Sequence, residues 1–372
     1  MKEPNPFILR GYISPEYFCD REDEVKTLMD NANNSRNIVL FSKRRLGKTG
    51  LIFHLKHTIS NKNIKFVYCD IMMANSIQDF TYYFGKAVIN QTMSFKQKSI
   101  KTISSIFSSF SPILSSEPLT GQISIELKPN RYDNSYSDID KIFNYLSESK
   151  QRYIIAIDEF QQILNFKDKG FEAYLRSKIQ FLANCSFIYS GSRKGMLLSM
   201  FNDSKRPFWQ SSAFLELKSI EKSKYSEFII KNFSYAKKEI SADAIDKIYE
   251  LAKGVTYYIQ LICHQLYLCK SNKINTDEVI RTFEKVILDN EDFYLNYIQL
   301  FSQSQIKLLK AISIENEIEK ITSNEFIQNY NLGAASSVKT MINKFLEKDI
   351  VSNENNKYFL TDLLFSEWLR RK

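Results

Sequence analysis

The feature that most restricts how this chain can fold is a change of character at residue 42. The run Asn37-Ile38-Val39-Leu40-Phe41 is short, rich in β-branched residues and bounded by polar ones, so it reads as a buried strand. The basic loop Ser42-Lys43-Arg44-Arg45-Leu46-Gly47-Lys48-Thr49 follows, and residues 49–60 then read as a helix. A strand, a basic loop and a helix in that order bring backbone N–H groups and the positive end of a helix dipole to one point, which suits a phosphate. The octapeptide matches GxxxxGK[ST] except at its first position. In that pattern Gly47 lets the backbone come close, the Lys48 ammonium reaches the β- and γ-oxygens, and the Thr49 hydroxyl ligates Mg²⁺. Gly50, next in the chain, is expected to belong to the same binding segment. Lys43 is expected in the same binding loop. Arg44 and Arg45 can contact phosphate or pair with acids elsewhere. As two cations beside Lys48 they raise the local positive potential, which favours a polyanionic nucleotide tail. Ser42 stands where the pattern has glycine. If that position requires positive φ, the side chain costs about 1 kcal/mol.

Three further apolar runs, 65–71, 153–157 and 185–190, read as buried strands, and helical stretches such as 77–95 alternate with them. This alternation predicts an α/β fold around a parallel sheet, with a site along the C-terminal edge of the strands. Asp158 and Glu159 close the run at 153–157. A carboxylate at a strand end can hold the Mg²⁺ shell, and a second beside it can polarise an attacking water, so Asp158 is expected as a metal ligand and Glu159 as a catalytic base. The alternative is an acidic helix N-terminus, since Phe160-Gln161-Gln162-Ile163 reads as continuing helix. Ser190 and Ser192 end the run at 185–190 and are candidates to bond the γ-phosphate or the water. An ordinary polar turn is the other reading. Arg206 can supply charge to phosphate in cis or from a neighbouring copy, or be a solvated arginine.

Between 94 and 129 the pattern weakens, and a helix, a loop and a short hairpin are expected there as an insertion. From about residue 216 helical periodicity takes over at 224–233, 242–252, 257–269 and 276–289, with Ser241 as a cap and Gly254 as a stop. From residue 302 a third pattern begins. It has a helix at 305–312, a second opened by a capping box at Thr322-Ser323-Asn324-Glu325, and a third over 336–348. A hairpin then turns at Asn353, Asn355 and Asn356. That outline is a winged helix-turn-helix, giving domains at 1–215, 216–300 and 301–372.

The net charge of +9 permits an anionic partner without requiring one. Residues 301–372 carry ten Lys/Arg against nine Asp/Glu, little for a duplex binder. On the third helix, Ser336, Lys339, Thr340 and Asn343 nevertheless share one face that can enter a DNA groove or lie against solvent. A protein partner or self-association is the other open possibility. Five scattered cysteines with no CxxC pair point to thiols in a reducing cytoplasm rather than disulfides or zinc. No apolar run reaches membrane-spanning length, and the first residues carry no signal core, so a cytoplasmic protein is expected.

Across nearly its whole length the chain resembles the archaeal-type P-loop ATPases of the AAA+/STAND lineage, which also occur in bacteria. The resemblance rests on Arg44-Arg45-Leu46-Gly47-Lys48-Thr49 as Walker A, Asp158-Glu159-Phe160-Gln161 as Walker B, Ser190-Gly191-Ser192, and Arg206-Pro207-Phe208. It also includes the lid segment 254–260 and the ending 358–371. It implies a P-loop core, a helical lid and a C-terminal winged helix, with ATP and Mg²⁺ as cofactors and nucleotide between core and lid. Phe18-Cys19-Asp20-Arg21-Glu22 is similar to a family motif lying near the adenine, which implies a cofactor-binding role for Arg21. The family usually has proline where Thr256 stands. The function expected is a Mg²⁺-dependent ATPase acting as a nucleotide-controlled switch, or an ATP-regulated DNA-binding or oligomerising protein with little turnover.

Overall fold

The computed structural model describes residues 5–93, 103, 109–116, 123–129 and 135–372. The chain divides into two compact units, Arg10–Lys224 and Met1–Leu9 with Tyr225–Lys372. The first is built on five parallel strands: β1 (Ile38–Ser42), β2 (Ile64–Asp70), β5 (Arg152–Asp158), β6 (Cys185–Ser190) and β7 (Ala213–Leu217), in the order β2-β5-β6-β1-β7. β1 and β6 are buried along their whole length, and β5 is buried after its first residue. That is why they read as unbroken apolar runs: a parallel strand covered on both faces has no solvent side. β7 escaped the sequence reading because it is an edge strand. Phe214 is exposed and Glu216 faces solvent, so no continuous run marks it.

Helices α1 (Glu22–Asn33), α2 (Lys48–Thr58), α3 (Ile77–Thr92), α4 (Ser135–Ser147), α5 (Phe171–Ile179) and α6 (Lys194–Asn202) accompany the sheet. The hairpin expected in the insertion pairs β3 (Phe110–Ser116) with β4 (Ile123–Pro129) antiparallel. Its first strand takes in residues read as loop. Ser94 and Phe95, expected to end a helix, and Pro118, Gly121 and Gln122, expected within the loop and hairpin, lie outside the described residues. After β5 the chain does not continue as α-helix. Glu159 adopts a left-handed conformation (φ 58°, ψ 37°), and a 3₁₀ helix, Phe160–Asn165, follows. Phe160 anchors that turn in an aromatic cluster, 4.5 Å from the Tyr189 ring and 5.4 Å from Phe208.

The second unit contains α7 (Lys222–Tyr235), most of which lies within it, followed by α8 (Ala242–Leu251), α9 (Thr256–Leu268), α10 (Thr276–Leu288) and α11 (Glu291–Ile298). Two-residue strands β8 (Glu239–Ile240) and β9 (Lys273–Ile274), too short to leave a sequence pattern, pair in parallel. Ser241 caps α8 by accepting from the Ala244 N–H. Gly254, at φ +67°, takes the left-handed conformation that ends the segment. The winged helix follows as α12 (Gln303–Glu315), α13 (Asn324–Asn329) and α14 (Ala335–Glu347), then β10 (Val351–Glu354), β11 (Lys357–Leu360) and α15 (Leu363–Arg370). The capping box is at Ser302 and Gln305, one helix earlier than expected. α13 is capped by Ser323 alone, through the Phe326 N–H, which puts Phe326 rather than Glu325 at the third position. Asn355 and Asn356, at φ 51° and 64°, make the tight turn between β10 and β11. Phe365 and Trp368 of α15 pack on Tyr294 at 5.3 and 5.6 Å, so the winged helix shares its core with the preceding helices.

Among the described residues no helix is long and apolar enough to cross a membrane. Ile155 is fully buried in the central strand β5, whereas Phe214 on the edge strand is 42% exposed. Ile155→Ala is therefore expected to destabilise the first unit by about 2–5 kcal/mol and Phe214→Ala by under about 1 kcal/mol, read from urea unfolding midpoints.

Candidate functional site

β1 ends at Ser42, which is buried, lies opposite Leu217 of β7, and keeps ordinary extended geometry. The residues of the loop at positive φ are Arg45 (+65°) and Gly47 (+93°). The strain anticipated for Ser42 therefore does not arise. Left-handed residues spaced along a turn are a means of aiming successive N–H groups into one concavity. Gly47 is the N-cap of α2 and, lacking a side chain, makes no cap bond to the first-turn N–H groups. Such a terminus is suited to an anion.

Lys43 and Arg45 are exposed, Arg44 is half-buried and Leu46 is buried beneath the loop. The Lys48 ammonium donates to Ser42 Oγ at 3.1 Å. Burial lowers the pKa of Lys48, while the charges of Asp158 and Glu159 act in the opposite sense. Gly50 has a packing reason: a Cβ there would come within 3.3 Å of the Phe18 ring, which itself stacks on His54 at 4.3 Å.

The carboxylate of Asp158 gathers four donors. Oδ2 accepts from Thr49 Oγ1 at 3.1 Å and from the Tyr68 hydroxyl at 3.0 Å. Oδ1 accepts from Ser190 Oγ at 2.6 Å and from the Glu159 N–H at 3.1 Å. Strands β2, β5 and β6 and the first turn of α2 thus meet at one side chain. Asp70 lies in register with Asp158 on the neighbouring strand. Burial raises its pKa, opposed by a bond from the Met72 N–H and reinforced by the charges of Asp158 and Glu159. Tyr68 and Asp70 were not singled out from the sequence. Their only signal was position at the C-terminal end of a predicted strand.

The left-handed turn at Glu159 sends its carboxylate to the end of β6, where Oε2 accepts from Ser192 Oγ at 2.9 Å and from the Ser192 N–H at 3.2 Å. The structure thus brings together Ser42, Lys48, Thr49, Asp158, Glu159 and Ser192. Two other expected site residues have different partners. Arg206 pairs with the buried Glu172 of α5 at 3.3 Å. Arg21 is buried, and its guanidinium donates to Glu24 Oε1 and to the Lys218 carbonyl, each at 2.7 Å, tying α1 to the segment after β7.

Hard oxygen donors at Thr49 and Asp158 fit Mg²⁺, which keeps waters and takes phosphate oxygens for its remaining positions. The cation at Lys48 and the amides opening α2 fit the phosphates themselves. Residues 18–262, about two thirds of the chain, match the family described as an ATPase domain predominantly from Archaea. The chain belongs to that family. Residues 292–371 match a probable winged helix domain.

The fold of this family member is similar to that of the Walker-type ATPase PABY2304 of Pyrococcus abyssi, with a TM-score of 0.65 at 16% identity, covering 98% of this chain and 99% of that one. It is also similar to the ORC2 protein of Aeropyrum pernix in its ADPNP–ADP complexes, with a TM-score of 0.60 at 12% identity, covering 100% and 96%. The uncharacterized protein MJECL04 of Methanocaldococcus jannaschii is 22% identical over 371 residues, spanning 95% of this chain and 68% of that protein. The first unit is accordingly a nucleotide-binding domain of the P-loop ATPase type.

Because Ser42 is extended and accepts the Lys48 bond, restoring the pattern's glycine brings no relief of strain. Ser42→Gly is expected to lower stability by about 0.5–1 kcal/mol, through loss of chain stiffness in a strand, and not to tighten nucleotide binding. Thermal melting and ATP titration check both.

Proposed function

We propose that the chain is a Mg²⁺-dependent ATPase whose nucleotide state controls the winged helix. The observation that carries this reading is the 3.1 Å bond between Thr49 Oγ1 and Asp158 Oδ2, which joins the phosphate-suited loop to the acidic strand end. In this reading Lys48 binds the β- and γ-oxygens, exchanging its Ser42 partner for phosphate. Mg²⁺ held by Thr49 and Asp158 would neutralise charge on the same phosphates. Glu159 orients a water and takes its proton, and Ser192 holds Glu159 at the end of β6. Ser190 keeps the Asp158 carboxylate aimed at the loop. Arg206, bonded to Glu172, serves the site only if assembly with another copy releases it. Arg21 serves it by fixing the start of α1.

Lys48→Ala is expected to abolish ATP binding. Glu159→Gln is expected to bind ATP as wild type does and to lose phosphate release by about 10²-fold or more. Isothermal titration and a phosphate-release assay separate the two effects. Full ATP affinity in the Lys48 variant removes the site assignment.

A second reading, ATP-regulated DNA binding, is favoured by one feature of the winged helix. On α14, Ser336, Lys339, Thr340 and Asn343 are exposed while Val338, Ile342 and Phe345 are buried. Lys339 and Asn343 also border a cavity of about 480 Å³ together with Lys320, Thr322 and Tyr358. In this reading, the chain shifts a duplex at low salt, and Lys339→Ala with Asn343→Ala weakens the shift by tenfold or more. No shift at any salt concentration rules it out.

A further inference from the structure

The Glu159 carboxylate has a third donor besides the two from Ser192. Gln161 Nε2 reaches the same oxygen, Oε2, at 2.5 Å. A carboxylate can only accept, so the amide must present its nitrogen to Glu159 and turn its oxygen away. That oxygen, Oε1, is buried and has no hydrogen-bond partner among the described residues, and Gln161 is 3% exposed. The amide also lies directly over Gly191, the residue between Ser190 and Ser192. A Cβ built on Gly191 would fall 1.9 Å from Gln161 Oε1 and 2.9 Å from its carbonyl carbon. No L-residue with a side chain can stand at 191 while Gln161 keeps this place.

A buried amide with one half unsatisfied costs stability, and an unbranched apolar side chain of the same length would fill the space without that cost. Fold stability therefore gives no reason for glutamine here, whereas the bond to Glu159 does. None of the three bonds at Glu159 uses Oε1. We propose that Gln161 is a positioning residue for Glu159: its amide holds Oε2 so that Oε1 is presented to water, and Gly191 lacks a side chain in order to admit that amide. The inference rests on the reading of Glu159 as the group that handles the attacking water.

The test uses the full chain and compares Gln161→Met, Gly191→Ala, Glu159→Gln and the pair Gln161→Ala with Gly191→Ala. For Gln161→Met, melting of the nucleotide-free protein is expected at or above the wild-type temperature and ATP affinity within about twofold. Its kcat is expected to fall about tenfold or more. Gly191→Ala is expected to lower both melting temperature and kcat on its own, yet to change neither appreciably in the Gln161→Ala background, where the space has been vacated. If Gln161→Met turns over at the wild-type rate while Glu159→Gln is inactive, the inference is overturned and the reading of Glu159 stands. If Glu159→Gln itself turns over at the wild-type rate, that reading fails first. A Gln161→Met chain that melts well below wild type and binds ATP poorly assigns Gln161 to the fold instead. An equal melting penalty for Gly191→Ala in both backgrounds removes Gly191 from the argument.

Discussion

The first unit is organised around one carboxylate. Asp158 sits where β5 leaves the core, and it accepts bonds from Thr49, Tyr68, Ser190 and the Glu159 N–H. A carboxylate in a low-dielectric setting is tolerable only when its lone pairs are satisfied, so the strands must keep the register that delivers those donors. β1, β5 and β6 are packed on both faces, and a slip in their pairing would move Ser42, Asp158 and Ser190 off the sheet edge. Core packing and site geometry are thus one constraint seen from two sides.

Around that centre the charges are unbalanced in a useful way. Lys48 is partly stripped of water, and its ammonium is supported by Asp158 and Glu159 while its direct bond goes to the neutral Ser42. An incoming polyanion can replace that neutral partner without breaking an ion pair. Asp70 is pushed toward its neutral form by burial and by the charges of Asp158 and Glu159, and a divalent cation would relieve that crowding. Glu159 differs from Asp158 in its surroundings. It is reached through a left-handed turn, held by groups from the end of β6 and by Gln161, and placed there because Phe160 is locked in the aromatic cluster.

The second unit obeys different rules. Its helices are defined by caps and stops, at Ser241, Asn275, Ser302 and Ser323, and its wing by two asparagines at positive φ. The winged helix is not walled off from the helices before it. Tyr294 meets Phe365 and Trp368, and the Tyr258 hydroxyl accepts the Leu363 N–H at 2.9 Å, bonding α9 directly to the start of α15. That bond lies two residues after Thr256.

Much of this was legible before any fold was known. The runs at 37–41, 153–157 and 185–190 announce buried parallel strands because strands covered on both faces cannot alternate. Gly47-Lys48-Thr49 and Asp158-Glu159 announce phosphate and cation chemistry because few other side chains supply it at strand ends. The amphipathic face of α14 was readable from its 3.6-residue period alone. Other features depended on tertiary structure. β7 is an edge strand, and β8 and β9 are two residues each, so burial left no pattern in the sequence. Arg21 and Arg206 were expected at the nucleotide by motif. Besides the local Glu24, they bond the Lys218 carbonyl and Glu172, 197 and 34 positions away, and no local spacing encodes those two contacts. Ser42 looked like a strained departure until its φ was known. Local sequence determined which side chains carry the chemistry, since strand and helix periods and cap chemistry act over a few residues. Which of them meet was decided by long-range packing, because contact between Gln161, Glu159 and the gap at Gly191 exists only once β5 and β6 lie side by side.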